Sequence, residues 1–143
     1  MQEPGSLAEA VHAASAILFD LFHTLTAIEI THTPLPPEPW EILGLEREAW
    51  QAAWRAIDQA RLKGEIVDPY ELLAIPARAV DPAIDERRIR AAVQARLDKF
   101  ANAVMHIQPE VLETLAELRH CRSKKLGLVS NADPMEVAAW PAS

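Results

Sequence analysis

Two short apolar runs, each stopped by a polar residue, constrain the fold of this chain more than any other feature. The first is AILF at residues 16–19, which ends abruptly at Asp20. The second is LGLV at residues 126–129, which ends at Ser130. A short continuous apolar run is typical of a parallel strand that is buried on both faces. We therefore predict two buried parallel strands with Asp20 and Ser130 at their carboxyl ends.

A helix-rich segment separates the two runs. Prolines at positions 34, 36, 37 and 39 predict an extended linker, because proline lacks the backbone donor that helices and central strands need. Apolar residues at helical spacing then predict helices from Leu45 to about Lys63, from Tyr70 to Val80 and from Ile84 to about Val104. These three helices are expected to form a small bundle. A further helix begins at Pro109, and a partial helix begins at about Pro134.

The order strand, helical insertion, helix, strand is that of a crossover unit in an α/β sheet. We accordingly divide the chain into residues 1–26, the first part of an α/β core, residues 27–104, a helical insertion, and residues 105–143, the second part of the core. Ligands of such sheets bind beyond the carboxyl ends of the strands. The predicted site therefore contains both Asp20 and Ser130, although they are far apart in sequence.

The charge of the chain argues against two classes of partner. Its 21 acidic residues outnumber its 14 Lys and Arg residues, which gives a formal net charge of −7. A surface for nucleic acid or for an anionic membrane would need clustered basic residues, whereas here they alternate with acidic ones. Residues 1–10 contain no Lys or Arg, and no apolar run approaches the roughly 20 residues of a membrane span. We expect a soluble, cytoplasmic protein.

The two strand-end segments carry a family resemblance. The first reads FDLFHTLT over residues 19–26, in which Asp20 is followed four places later by Thr24, and the second reads LVSNA over residues 128–132. They resemble the first and second motifs of the haloacid dehalogenase superfamily, and the helix from Pro109 matches the helix before its second motif. The resemblance covers nearly the whole chain. It implies a partial Rossmann-like α/β core, here two parallel strands plus helices, with an inserted α-helical cap bundle.

The resemblance implies a hydrolase that uses an aspartate nucleophile. Asp20 would attack carbon or phosphorus to give an aspartyl ester or an aspartyl phosphate, which water then hydrolyses. A carboxylate suits this role because it is ionised at neutral pH without an activating base. Thr24 would hold the loop and Asp20 through its hydroxyl, Ser130 would hydrogen-bond the anionic group of the substrate, and Asn131 would help to orient it.

The residue two places after the nucleophile separates the chemistries of the family. Family phosphatases and phosphomutases usually have a second Asp there, which protonates the leaving group. Phe22 occupies that position here. An apolar residue is similar to the dehalogenase branch, in which halide leaves as a stable anion, so the resemblance favours a 2-haloacid over a phosphate ester as the small-molecule substrate. Phe22 and the adjacent His23, which stands where the family commonly has Gly, are candidate substrate contacts.

A dehalogenase would also use an arginine to bind the substrate carboxylate. Arg55 and Arg61 on the first predicted helix of the insertion are candidates, because arginine can grip a carboxylate with two parallel hydrogen bonds. The alternative interpretation is that each is a solvated charge on a helix face. Trp50 and Trp54 on the same helix are interpreted as core of the insertion rather than as a stacking surface for a ligand.

The later motifs of the superfamily are not matched. A Lys motif and then an acidic motif should follow the second motif by several tens of residues, whereas the sequence ends at Ser143. Lys124 and Lys125 precede the second strand and do not fill the Lys role. The magnesium ion of the phosphatase branch would find only the Asp20 carboxylate and the Phe22 carbonyl, and the dehalogenase branch implies no metal.

We therefore expect a chain cut short after the second motif. Two strands alone leave sheet edges exposed, and these predict self-association into a homo-oligomer. The function predicted first is a hydrolase of this superfamily. The alternative is an inactive binding or assembly module, and the missing motifs leave open which of the two this chain is.

Overall fold

A computed structural model of the chain describes residues 9, 11, 13–28, 34, 36–120, 124–138 and 140. In chain order the described elements are β1 (Ala16–Phe19), α1 (Pro39–Leu43), α2 (Arg47–Ala56), α3 (Asp58–Leu62), α4 (Pro69–Val80), α5 (Glu86–Met105), α6 (Pro109–His120), β2 (Lys125–Leu128) and α7 (Pro134–Val137). The protein is thus a mixed α/β chain, mostly helical, with two parallel strands. No helix of the described residues is long and apolar enough to cross a membrane.

The chain forms two compact units. The α/β unit comprises Met1–Ala27 and Ile107–Ser130, and the helical unit comprises Ile28–His106 and Asn131–Ser143. The segment that the sequence assigned to the second part of the core, residues 105–143, is therefore divided after Ser130. Its last part belongs to the helical unit, where α7 packs on α5 and the side chain of Met135 is fully buried.

The α/β unit is built on the parallel pair β1 and β2. Ala16 lies opposite Lys125 and Phe19 lies opposite Leu128, and α6 packs on β2. The prediction that the strands are covered on both faces is wrong for the described residues, because Leu18 is 67% exposed and Leu128 is 43% exposed. The physical reason is that a sheet of two strands offers little surface for other elements to cover.

The helical unit holds most of the buried apolar side chains among the described residues. They include Leu43, Leu72, Leu73, Ile89 and Phe100, where α1, α4 and α5 pack together. The helices predicted from Tyr70 and from Ile84 correspond to α4 and α5. The single helix predicted from Leu45 to Lys63 is instead two helices, α2 and α3.

The break between α2 and α3 lies at Ile57. Its backbone angles are φ −98° and ψ 0°, outside the helical range, and its N–H donates to the carbonyl of Trp54 at 3.2 Å. This i to i−3 bond tightens the end of α2. A hydrophobic pattern continues across such a break, which is why the pattern alone predicted one helix.

The predicted proline linker is shorter than expected, because Pro39 is the first residue of α1. Proline is tolerated at that position since its missing N–H would have no partner within the helix. The N–H of Glu38 donates to the Glu41 carboxylate at 2.8 Å, which fixes the start of the helix. Gly44 ends the helix with φ 69°, a left-handed conformation that glycine adopts without strain.

Candidate functional site

Asp20 and Ser130 follow the carboxyl ends of β1 and β2, which are neighbours in the parallel pair. The N–H of Val129 donates to the carbonyl of Phe19 at 2.8 Å, so the pairing extends to the last residue before each polar side chain. Asp20 is exposed and Ser130 is half-buried. Both predicted strand-end residues therefore follow the same edge of the sheet, as the sequence pattern predicted.

The loop after Asp20 is a tight turn organised around Leu21. The carbonyl of Leu21 accepts hydrogen bonds from the N–H groups of Leu25 at 2.8 Å and of Thr26 at 3.0 Å. The N–H of His23 donates to the carbonyl of Thr26 at 2.7 Å, which closes the turn. Leu21 is buried and Thr26 is 3% exposed, so these two residues fasten the loop to the unit. Thr26 was not singled out from the sequence, although it lies within the first motif.

The side chains of the turn that were predicted to act are placed differently from one another. Phe22 is half-buried, and its backbone pairs with that of Thr26. His23 and Thr24 are exposed. His23 has φ 62°, a left-handed conformation that costs a residue with a Cβ atom free energy. Glycine would adopt this backbone geometry without strain.

The two lysines near β2 lie at the other end of the sheet. Lys125 is opposite Ala16, the first residue of β1, whereas Asp20 follows the last residue. Four residues of strand correspond to roughly 13 Å. The side chain of Lys124 donates to the carbonyl of Ala14, also at the amino end of the strands. Neither lysine therefore lies at the edge of the sheet that Asp20 and Ser130 follow.

The remaining predicted site residues belong to the helical unit. Asn131 and Arg55 are exposed, and the Nε of Arg55 donates to the carbonyl of Gln51 at 3.1 Å. Arg61 is mostly buried and contacts two carboxylates of its own unit, Asp58 at 3.2 Å and Asp133 at 3.6 Å. These contacts already occupy the guanidinium that the sequence offered as a substrate ligand.

A buried ionic cluster, formed by Arg61, Arg96, Asp133 and Glu136, is the strongest polar feature that the sequence did not reveal. The Asp133 side chain is 1% exposed and lies 3.2 Å from Nη2 of Arg96 as well as 3.6 Å from Nη1 of Arg61. Asp133 also begins α7, where its carboxylate accepts from the N–H groups of Met135 and Glu136. The signal that could have found it is the pattern DPME at residues 133–136, which is that of a capping box.

The pKa of Glu136 is raised above its ordinary value of 4.5, chiefly because burial disfavours the charged form. The neighbouring Asp133 carboxylate raises it further, and Arg96 and Arg61 act in the opposite direction. The side chain accepts from the N–H of Asp133 at 2.7 Å, which completes the capping box.

A cavity of about 210 Å³ lies in the helical unit and is walled by indole rings and charged groups. Its lining includes Glu38, Trp40, Trp50, Trp54, Arg55 and Arg96. The rings of Trp50 and Trp54 stack at 5.8 Å between centroids and 26° between planes. Trp50 is 4% exposed, in agreement with its interpretation as core, whereas Trp54 is half-buried.

The oxygen donors around Asp20 are few for a magnesium site. Among the described residues no group of three or more His, Cys, Asp or Glu side chains is placed to hold a metal ion. Mg²⁺ requires a nearly octahedral set of oxygen ligands. The Asp20 carboxylate and the Phe22 carbonyl would supply two of these oxygens.

Comparison of the chain with protein-family models, with curated proteins and with solved structures gives no significant match.

Proposed function

We propose that this chain is a hydrolase related to the haloacid dehalogenase superfamily, with a partial Rossmann-like core and Asp20 as its nucleophile. One observation carries the proposal: the parallel register of β1 and β2 brings Asp20 and Ser130 to the same edge of the sheet. Ligands of α/β sheets bind at such an edge. Asp20 is exposed there, so a substrate can reach its carboxylate.

The favoured reaction is hydrolysis of a 2-haloacid. A carboxylate oxygen of Asp20 attacks the carbon that bears the halogen, a carbon–oxygen bond forms, and halide leaves with the electron pair of the broken bond. Water then attacks the carbonyl carbon of the aspartyl ester. The products are a 2-hydroxy acid, the regenerated Asp20 carboxylate and one proton released to solvent. Ser130 donates a hydrogen bond to the carboxylate of the substrate.

Phe22 supports this reaction over the hydrolysis of a phosphate ester. A phosphate ester loses an alkoxide, which needs a general acid, whereas halide needs none. Phe22 cannot supply a proton, and its half-buried ring lies in the turn that follows the nucleophile. A 2-haloacid is therefore the preferred substrate class, and a phosphate ester is the competitor that the assay must include.

The test is halide release from 2-chloropropionate by the purified chain, alongside phosphate release from an aryl phosphate. We expect halide release that Asp20→Asn abolishes and Ser130→Ala reduces. Asp98→Asn is the matched control, since Asp98 is an exposed carboxylate of α5 in the helical unit. Halide release that persists in Asp20→Asn would contradict the proposed mechanism. Faster release of phosphate than of halide would contradict the preference for a 2-haloacid over a phosphate ester.

The alternative proposal is an inactive binding or assembly module. It is favoured by the concentration of buried side chains in the helical unit, whereas the described part of the α/β unit buries Leu21 and Thr26 but leaves both strands largely open. Turnover by the purified chain that depends on Asp20 would contradict it. Lack of turnover in a chain whose far-ultraviolet spectrum shows the helical content of α1 to α7 would favour it.

A further inference from the structure

We propose that the helical unit carries a binding site for a small aromatic carboxylate, in the cavity lined by α1, α2 and α5. The site uses Trp40, Trp50, Trp54, Arg55 and Arg96. It shares no residue with the strand-end motifs, and it assigns Arg55 to this cavity rather than to the carboxylate of a 2-haloacid. Its existence therefore does not depend on the proposed hydrolase activity.

The volume and the lining of the cavity suit a ligand with one aromatic ring. An apolar cavity of about 150 Å³ is large enough for benzene. The 210 Å³ here accommodates a benzene ring with one small charged substituent. Three tryptophans line the cavity, and Trp40 and Trp54 offer more indole surface than Trp50, which is almost fully buried. Planar apolar ligands bury their faces and edges favourably against such rings.

The charges of the lining select an anion. The Glu38 carboxylate accepts from Nζ of Lys99 at 3.1 Å, and Arg96 is paired with Asp133 at 3.2 Å. Arg55 has no ion pair with any described residue, and only its Nε is used, by the Gln51 carbonyl. The terminal nitrogens of Arg55 can therefore bind the two oxygens of a carboxylate.

The wall on the side of α5 is held in place before any ligand arrives. The guanidinium of Arg96 lies 5.1 Å from the ring centre of Trp54 and 4.8 Å from that of Phe100. Its ion pair with the buried Asp133 fixes it further. The Nε–H of Arg96 is buried and has no acceptor among the described residues, so this wall also holds a donor that is unsatisfied within the described part of the chain. A preorganised wall lowers the conformational entropy that binding costs.

The experiment measures binding of 4-fluorobenzoate to the full chain by fluorine nuclear magnetic resonance. The neutral isostere 4-fluorobenzamide tests the role of charge. Arg55→Ala tests the proposed anchor, and Arg87→Ala is the matched control, because Arg87 is an exposed arginine of α5 outside the cavity lining. Circular dichroism verifies that each variant is folded, and Trp40→Ala removes one ring wall.

We expect the carboxylate to bind more tightly than the amide. Arg55→Ala should weaken carboxylate binding by at least about tenfold, the ratio that corresponds to loss of one of the two charged hydrogen bonds. It should weaken amide binding less, because the neutral amide oxygen accepts a weaker hydrogen bond, and Arg87→Ala and Asp20→Asn should change the binding of neither ligand. Equal affinity for acid and amide, equal effects of Arg55→Ala and Arg87→Ala, or no binding of 4-fluorobenzoate would each overturn the proposal. Weaker binding of both ligands to Trp40→Ala would support the contact between the ligand ring and Trp40. Unchanged binding of both ligands to that variant would contradict this contact.

Discussion

Replacement of Asp133 by alanine should destabilise the helical unit more than the loss of an ordinary helix cap. The substitution removes the acceptor for two backbone N–H groups at the start of α7. It also leaves the mostly buried guanidinium groups of Arg61 and Arg96 without the carboxylate they share. Arg61 keeps its contact with Asp58, and Arg96 keeps a longer one with Glu136 at 3.8 Å.

The magnitude follows from these two losses. A helix cap contributes about 1 kcal/mol to the free energy of unfolding. Removal of one partner from a buried ion pair costs about 3–5 kcal/mol, because the remaining charge stays buried without compensation. Since each arginine retains a second carboxylate, we expect the ion-pair loss near its lower end, about 3 kcal/mol, and a total of about 4 kcal/mol with the cap. Asp133→Asn should cost less than Asp133→Ala, because asparagine still caps the helix although it lacks the charge that pairs with the arginines.

Asp85→Ala is the matched control. Asp85 begins α5 and accepts from the N–H of Arg87 at 2.8 Å, but it is exposed and has no ion pair with a described residue. Its replacement should cost only about 1 kcal/mol.

Urea unfolding followed by tryptophan fluorescence measures both variants. All four tryptophans, Trp40, Trp50, Trp54 and Trp140, belong to the helical unit, so the signal reports on that unit. A cost of Asp133→Ala no larger than that of Asp85→Ala would refute the reasoning, because the buried ion pairs would then contribute nothing.

Three further predictions concern single positions. The raised pKa of Glu136 means that the native protein keeps its full stability below about pH 4.5 and loses stability as this buried carboxyl ionises at higher pH. Glu136→Gln cannot ionise, so it should become more stable relative to the native protein as the pH rises above about 4.5. Urea midpoints of both proteins across pH 4–7 test this, and midpoints that change in parallel would contradict it. Gly64→Ala should cost about 1 kcal/mol for its φ of 70°. Gly44→Ala should cost more, because its Cβ would displace Nη1 of Arg88, which donates to the carbonyl of Leu43 at 3.1 Å; equal urea midpoints of the two variants would refute this difference. His23→Gly should increase the free energy of unfolding by up to about 1 kcal/mol and so raise the thermal midpoint, because glycine adopts the φ of 62° without strain. A lower thermal midpoint would argue against a strained His23.

The regular elements could be predicted from sequence because their patterns are local. The run at residues 16–19 gave β1 at the same residues, and Pro109 marks the start of α6. The meeting of Asp20 and Ser130 at one edge also followed, since parallel strands joined by a crossover place their carboxyl ends together. Both follow from the spacing of apolar residues and from the order of the elements, and a single sequence is enough to show these.

The ionic cluster and the cavity could not be predicted, because they depend on contacts between distant segments. Asp133 is far in sequence from Arg61 and Arg96, and the three meet only in the folded helical unit, where α7 packs on α5. The same packing assigns Asn131–Ser143 to the helical unit. Arg61, a candidate substrate ligand in the sequence, contacts two carboxylates in the structure, one of them the distant Asp133. The break at Ile57 was hidden because the apolar spacing continues through it.

The most direct test of the central claim is to follow oxygen into Asp20. The purified chain, in excess over 2-chloropropionate, is incubated in water enriched in a heavy oxygen isotope and then digested for mass spectrometry. An aspartyl ester hydrolysed at its carbonyl carbon leaves the solvent oxygen in the carboxylate, so the account predicts a heavy Asp20 peptide and an unlabelled product hydroxyl. An unlabelled Asp20 peptide would contradict the account, whether the label enters the product directly or no turnover occurs.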